Sequence, residues 1–245
     1  MNGFPFYVGT SGWTYDHWKG DFYPEKLAKT RWFSYYASQF TAVEVNATFY
    51  RNFADSTYQK WRERVETGFR YVLKVPRLIT HYKRLEGCED EMRSFWRSAQ
   101  LLNDRLGMIL LQLAPDMPCD LEKLEAALLT YDDPGLVAVE FRAECWQDTR
   151  VRSLLERLGA AFVSVDSPKS HPTGWVTGRR AYIRLHGRKR WYAYNYEPGE
   201  LNEIAALARQ MQSQGAQEVY IFFNNDVGVY APQNALALKE LLAKG

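Results

Sequence analysis

Cysteine is scarce in this chain of 245 residues, and the three present, Cys88, Cys119 and Cys145, contain no Cys-x-x-Cys pair. Their wide spacing and odd number argue against a disulfide framework and against structural zinc, and suit a reduced compartment. Long apolar runs are also missing, since no segment approaches the ~20 apolar residues of a membrane span. The N-terminus enters an apparent strand by Phe6 without the basic start and apolar run of a leader. A soluble, cytoplasmic protein is expected. Neither sign of charge dominates: Lys+Arg and Asp+Glu number 31 and 29, a formal +2. No global field therefore advertises a nucleic-acid or membrane surface, although a local basic groove stays open.

Familiar catalytic and phosphate-binding signatures are absent as well. Gly9-Thr10-Ser11-Gly12 lacks the three-glycine spacing of a dinucleotide fold, and no Walker loop, Gly-x-Ser-x-Gly elbow or His-Glu-x-x-His helix occurs. There is no internal repeat, low-complexity tract or Pro/Gly/Ser-rich linker, so residues 1–245 read as one domain. With 46% hydrophobic residues the chain can bury a core of α/β-barrel size.

What is present is a succession of hydrophobic segments with polar ends: Phe6 to Ser11, Ala42 to Asn46, Phe69 to Lys74, Met108 to Gln112, Leu136 to Arg142, Ala160 to Asp166, Ala181 to His186 and Glu218 to Asn225. Helical patterns follow most of them. They are expected at Glu25 to Phe40, Ser56 to Val65 (capped by Asp55 or Ser56), Glu89 to Leu106 (ended by Gly107), from Asp120 to Leu129, from Asp148 or Thr149 to Gly159, Gly199 to Gln214, and Pro232 to Ala243. Between Asp166 and Ala181, Pro168, Pro172, Gly174 and Gly178 punctuate the chain, so the sixth crossover helix is short or missing. Alternating strands and helices give a single TIM-like (β/α)8 barrel, with a doubly wound open sheet as runner-up.

Side chains two apart on a strand share a face. Glu44/Asn46, Glu140/Arg142 and Arg184/His186 are thus same-face pairs, while Val45, Val139, Phe141, Ile183 and Leu185 between or beside them would meet covering helices. Together with Lys74, Gln112, Asp166 and Asn224 they are expected to form one polar ring at the carboxyl ends of the strands, where barrel enzymes place their chemistry. The aromatic loop from Gly12 to Pro24 would lie over that mouth.

The motifs Gly9-Thr10-Ser11-Gly12-Trp13, Phe22-Tyr23-Pro24, Val43-Glu44-Val45-Asn46 with Thr48-Phe49-Tyr50, Lys74 with Thr80-His81, and Gln112-Leu113 occur in order. They are followed by Val139-Glu140-Phe141-Arg142 with Trp146, Arg184-Leu185-His186-Gly187, and Phe223-Asn224-Asn225 with Ala231 and Asn234-Ala235. This series, spanning nearly the whole chain, resembles the YecE-like family, domain of unknown function 72. The resemblance implies a TIM-like barrel and no particular reaction. The chain departs from the family pattern at Ala143, often His, and at Ala114, often Pro.

Glu44, Glu140 and Asp166 are candidate proton-transfer groups, and His81 and His186 candidate shuttles. Glu140 and His186 form the preferred pair. Lys74, Arg142 and Arg184 can hold an oxyanion, with Asn46, Gln112 and Asn224 orienting it and Trp13 and Tyr50 stacking on it. The same cations can equally neutralise the acids. The leading reading is an enzyme using acid/base chemistry on a small polar or anionic substrate, without cofactor or tightly bound metal. One alternative is divalent-metal hydrolysis or isomerisation through Glu44, Glu140, Asp166 and His186. The other is a noncatalytic sensor or nucleic-acid binder that uses Arg179, Arg180, Arg188, Lys189 and Arg190 for phosphates.

Overall fold

A computed structural model describes residues 6–244; the start of the chain, where a leader was sought, lies outside the described residues. Eight parallel strands form a nearly closed barrel: β1 (Phe6–Thr10), β2 (Ala42–Val45), β3 (Arg70–Lys74), β4 (Leu106–Gln112), β5 (Val137–Glu140), β6 (Ala161–Asp166), β7 (Arg180–Leu185) and β8 (Glu218–Phe223). The hydrogen-bonded order runs from β1 through β8 and back down to β2. The helices are α1 (Trp32–Gln39), α2 (Ala47–Tyr50), α3 (Asp55–Glu63), α4 (Glu89–Gln100), α5 (Leu121–Leu129), α6 (Thr149–Leu158), α7 (Pro198–Ser213) and α8 (Tyr230–Ala243). No helix among the described residues is long and apolar enough to cross a membrane.

The seam between β1 and β2 closes by other means than a ladder. A Cβ on Gly9 would stand 2.0 Å from the Ala42 carbonyl oxygen, so only glycine lets the strands approach. Above it the Tyr36 hydroxyl of α1 accepts from the Thr10 amide at 2.8 Å and donates to the Ala42 carbonyl at 3.0 Å. Ser11 and Glu44 then make a single bridge at the rim. Buried backbone groups that lack a neighbouring strand are satisfied by one side chain instead.

Alternation sorts the residues into two cores. Tyr7, Ala42, Val72, Met108, Leu110, Ala138, Ala161, Val163, Val165, Tyr182, Tyr220 and Phe222 fill the barrel interior. Val45, Val139, Ile183 and Leu185 join the layer beneath the helices, with Phe141 packed against it, as their parity predicts. The floor is aromatic: Tyr7 stacks on Tyr220 at 4.8 Å between centroids, and a Cβ on Gly107 would come within 2.8 Å of the Tyr220 ring. Gly107 is therefore a strand residue that admits a tyrosine. It does not end α4, which stops at Gln100.

Asp120 and Asp148 cap α5 and α6 by accepting from Lys123 and Arg150 amides, and Gly159 ends α6 in the left-handed region. Neither Asp55 nor Ser56 caps α3; Ala54 stands at that position without a side-chain bond, and Asp55 accepts from Ser98 instead. The stretch expected to be helical from Glu25 holds only a 3-10 turn, Lys29–Arg31, before α1. The sixth crossover, 167–179, has no helix. Its Thr177 hydroxyl donates to the Ala160 carbonyl and accepts from the Phe162 amide, while Trp175 packs on Phe162, so irregular chain covers β6.

The cysteine reading needs correction. Cys119, after β4, is bonded to Cys145, after β5, with Cα atoms 6.1 Å apart. Adjacent strand-end loops bring together two residues 26 apart in sequence, and spacing alone carries no signal of that. Cys88 stays free and buried. In unfolded, unreduced protein, thiol titration should find one thiol per chain, and Cys119→Ser should lower stability by about 3.5 kcal/mol, the loop-closure value for a ring of this size. Three titratable thiols, or equal stability with and without reductant, would contradict the pairing.

Candidate functional site

The barrel parity that sets Tyr182 inside also sets Arg184 inside, two residues nearer the carboxyl end. Arg184 is 1% exposed and acts as the hub of the mouth. Its Nε and one terminal nitrogen grip Glu44 at 2.8 and 2.6 Å, a bidentate contact, and its other terminal nitrogen reaches Glu140. Glu44 also accepts from Ser11 at 2.7 Å and Tyr182 at 2.6 Å, while Glu140 accepts from Gln112 at 2.8 Å and is ion-paired with Arg142 at 2.7 Å. Burial pushes both carboxyls upward, but the Arg184 charge and these donors more than offset it. Glu44 titrates below, and Glu140 well below, the usual carboxylate range. Both are acceptors held ionised.

His186 is fully buried with Nδ1 3.0 Å from the Asn224 amide nitrogen and Nε2 3.4 Å from a Glu140 oxygen. A proton on Nε2 lets Nδ1 accept from Asn224 while Nε2 faces the carboxylate. Burial, opposed by Glu140, lowers its pKa to about 4, so the ring is neutral at pH 7. Trp191, from the loop after β7, lies 5.5 Å from that ring and 5.4 Å from the Arg142 guanidinium, roofing both. Arg142 and Trp191 also border a cavity of about 700 Å³. It opens where β5 and β6 pair only at Ala138/Ala161 and Val139/Phe162.

Lys74 differs from every other charge in this ring. It ends β3 facing inward, is 9% exposed, and its Nζ makes neither ion pair nor hydrogen bond to the described residues. The amine lies 4.1 Å from the centre of the Phe49 ring instead. Burial, then the Arg184 charge, lower its pKa to about 8 against the pull of Glu140 and Glu44. Thr48 donates to the Lys74 carbonyl at 2.7 Å, fixing α2 and its Phe49 against the end of β3. His81, in the π-helical turn Leu78–Tyr82, packs nearly perpendicular to the same Phe49 ring at 5.1 Å between centroids. Its Nδ1 is 2.8 Å from the Thr80 hydroxyl, and burial with the Lys74 charge lowers its pKa.

The structure thus brings together Glu44, Lys74, Gln112, Glu140, Arg142, Arg184, His186 and Asn224, with His81 beside Lys74. Asn46, just past β2, has a buried side-chain oxygen with no hydrogen-bond partner. Asp166 does not join them. Ala161, Val163 and Val165 are the inward residues of β6, so Asp166 faces outward, where it accepts from Arg188 at 3.0 and 3.1 Å and Tyr196 at 3.2 Å. Trp13 packs on Phe33 of α1 at 5.0 Å, and Tyr50 is 75% exposed beyond the ring.

Sequence reasoning left out Tyr182 and Ser11 as Glu44 donors, Phe49 as the Lys74 platform, and Trp191. Tyr182 was legible by parity with Arg184. The basic residues proposed for phosphate contacts divide: Arg179 precedes β7 and Arg180 begins it, while Arg188, Lys189 and Arg190 follow it at the opposite end. Arg180 pairs with Glu218, and Arg188 with Asp166 and Glu203. Among the described residues, no three His, Cys, Asp or Glu side chains are grouped to hold a metal ion.

Fold and site together define an α/β barrel whose carboxyl-end mouth is built around a buried arginine–carboxylate network. Residues 7–245 match the family described as Protein of unknown function DUF72, and the chain belongs to that family. It is 26% identical to the UPF0759 protein YunF of Bacillus subtilis over 96% of this chain and 94% of that one. The UPF0759 protein YecE of Escherichia coli K12 is 31% identical over 44% of this chain and 37% of its own length. A DUF72 family protein of Thermotoga maritima superposes with a TM-score of 0.88 at 30% identity, covering 98% of this chain and 99% of that one.

Removing Arg184 would leave two buried carboxylates facing each other without their shared cation. Arg184→Met should cost about 3 to 5 kcal/mol in urea unfolding, the range for breaking a buried pair. A loss below about 1 kcal/mol would show that the network is not what holds the mouth together.

Proposed function

We propose that this protein is an enzyme that binds a small anionic substrate at the carboxyl-end mouth of the barrel and transforms it by acid/base chemistry. The observation that carries this reading is Lys74. In a ring where Arg184 and Arg142 are matched by Glu44 and Glu140, Lys74 is the uncompensated cation, and the mouth carries one net positive charge. A protein optimised only for stability has little reason to bury an amine without a partner, since burial of an unpaired charge is costly. An anion arriving between Lys74 and the exposed edge of Arg142 supplies the missing charge, with Asn46 and Gln112 at hand to orient it.

The acid/base roles follow from which groups remain uncommitted. Glu44 and Glu140 are engaged as acceptors and serve to hold Arg184 and Arg142 in place. His186 orients Glu140 and stays neutral. Lys74, titrating at about 8, can both give and take a proton near neutral pH, and His81 stands beside it as a relay. A cytoplasmic location belongs to the same reading.

The test begins with native mass spectrometry of freshly purified protein to identify a retained ligand, followed by calorimetry with that ligand. In the absence of a retained species, inorganic phosphate serves as the anion. Lys74→Ala and Arg142→Ala should each weaken binding about tenfold or more, equivalent to about 1.4 kcal/mol. Unchanged affinity in both single variants and in the double variant would overturn the anion site.

A further inference from the structure

Phe49 is touched by two groups, the Lys74 amine at 4.1 Å from its ring centre and the His81 ring, nearly perpendicular to it at 5.1 Å between centroids. The two groups are brought to one aromatic platform by separate devices. Thr48 anchors α2 to the Lys74 carbonyl, and the π-helical turn after β3 carries His81 back over it. π-Helical turns occur frequently at functional sites because they re-aim a side chain that a regular turn would point elsewhere. Thr80 engages His81 Nδ1 at 2.8 Å, and no hydrogen bond to the described residues occupies Nε2.

We propose that Lys74 is a nucleophile that forms a Schiff base with the carbonyl carbon of an anionic aldehyde or keto acid, with His81 moving the protons. This rests on the reading of the mouth as an anion site and names the class of substrate. A lysine acts this way when a dry pocket and neighbouring cations maintain a usable share of neutral amine. Here Arg184 and Arg142 supply the neighbouring charge, Phe49 and burial the apolar pocket, and no carboxylate locks the ammonium form. Arg142, not Lys74, then holds the anionic group during the covalent step.

The chemistry balances without an oxidant or reductant. The Nζ lone pair attacks the carbonyl carbon to form a C–N bond, and the π pair moves to oxygen. His81 carries one proton from nitrogen to that oxygen, giving a carbinolamine. A second proton, taken from solvent through His81, goes to the hydroxyl. The nitrogen lone pair then expels water, leaving an iminium whose positive charge is that of the added proton. The iminium withdraws electrons from the adjacent carbon and prepares it for proton loss or bond cleavage.

Pyridoxal 5′-phosphate, used purely as an anionic aldehyde probe, tests this in the intact protein. After incubation at pH 8 and borohydride reduction, peptide mapping by mass spectrometry should place the label on Lys74 at least tenfold ahead of every other lysine. Inorganic phosphate should protect it, and His81→Asn should slow the labelling of Lys74 about tenfold while leaving phosphate affinity unchanged. Label spread over surface lysines with Lys74 unmodified, in protein that binds phosphate by calorimetry, would overturn the nucleophile and leave the anion site standing. Failure both to bind phosphate and to label Lys74 would overturn the two together.

Discussion

The bidentate grip of Arg184 on Glu44, extended through its remaining nitrogen to Glu140, is the constraint from which the rest of the mouth follows. Three fully or almost fully buried charges are tolerable only when each is neutralised and its hydrogen bonds are met. Ser11, Tyr182, Gln112 and Arg142 complete that requirement from the end of β1, from β7, from β4 and from the loop after β5. Strands on opposite sides of the barrel are thereby joined through their side chains. The Ser11–Glu44 contact falls at the β1–β2 seam, where Gly9 and Tyr36 replace an ordinary ladder.

The same network decides which groups remain for chemistry. Carboxylates committed to arginines are weak bases, and a neutral histidine wedged between Asn224 and Glu140 has little freedom to carry protons away. Lys74 and His81 are placed differently, at the edge of the network on a hydrophobic platform. Desolvation is not cancelled there by a direct ion pair, so small changes in occupancy shift proton affinity. An anionic substrate would both neutralise the excess charge and exclude more water, strengthening each remaining electrostatic interaction.

Much of this was legible because strand alternation is a hard geometric rule. Glu44, Lys74, Gln112, Glu140 and Arg184 fall on the inward parity of strands whose opposite faces are plainly apolar, and His186 and Asn224 continue that parity past the strand ends. Asp166 escaped because the segment Ala160 to Ser164 is buried on both faces and contains no polar residue before Ser164 to reveal which face turns inward. Gly107 was misread because a glycine that ends a helix and one that admits a Tyr220 ring look alike without the partner. The Cys119–Cys145 bond was invisible for a similar reason, since only the adjacency of the β4 and β5 loops brings the residues together. Phe49 and Trp191 show the same limit: what each ring touches is set by how the segments after the strands fold, which the sequence pattern does not reveal.

The central claim is that Arg184 and Arg142 use up the carboxylates of the mouth and leave Lys74 an uncompensated, readily deprotonated amine. Its side chain can be followed directly by carbon NMR of protein carrying 13C-labelled lysine, with Lys74→Arg used to assign the resonance. The account predicts a Lys74 resonance titrating at about pH 8, below the ordinary lysine value of about 10.5. A Lys74 resonance that titrates at or above 10.5 would mean that a carboxylate holds the ammonium, and would contradict the account.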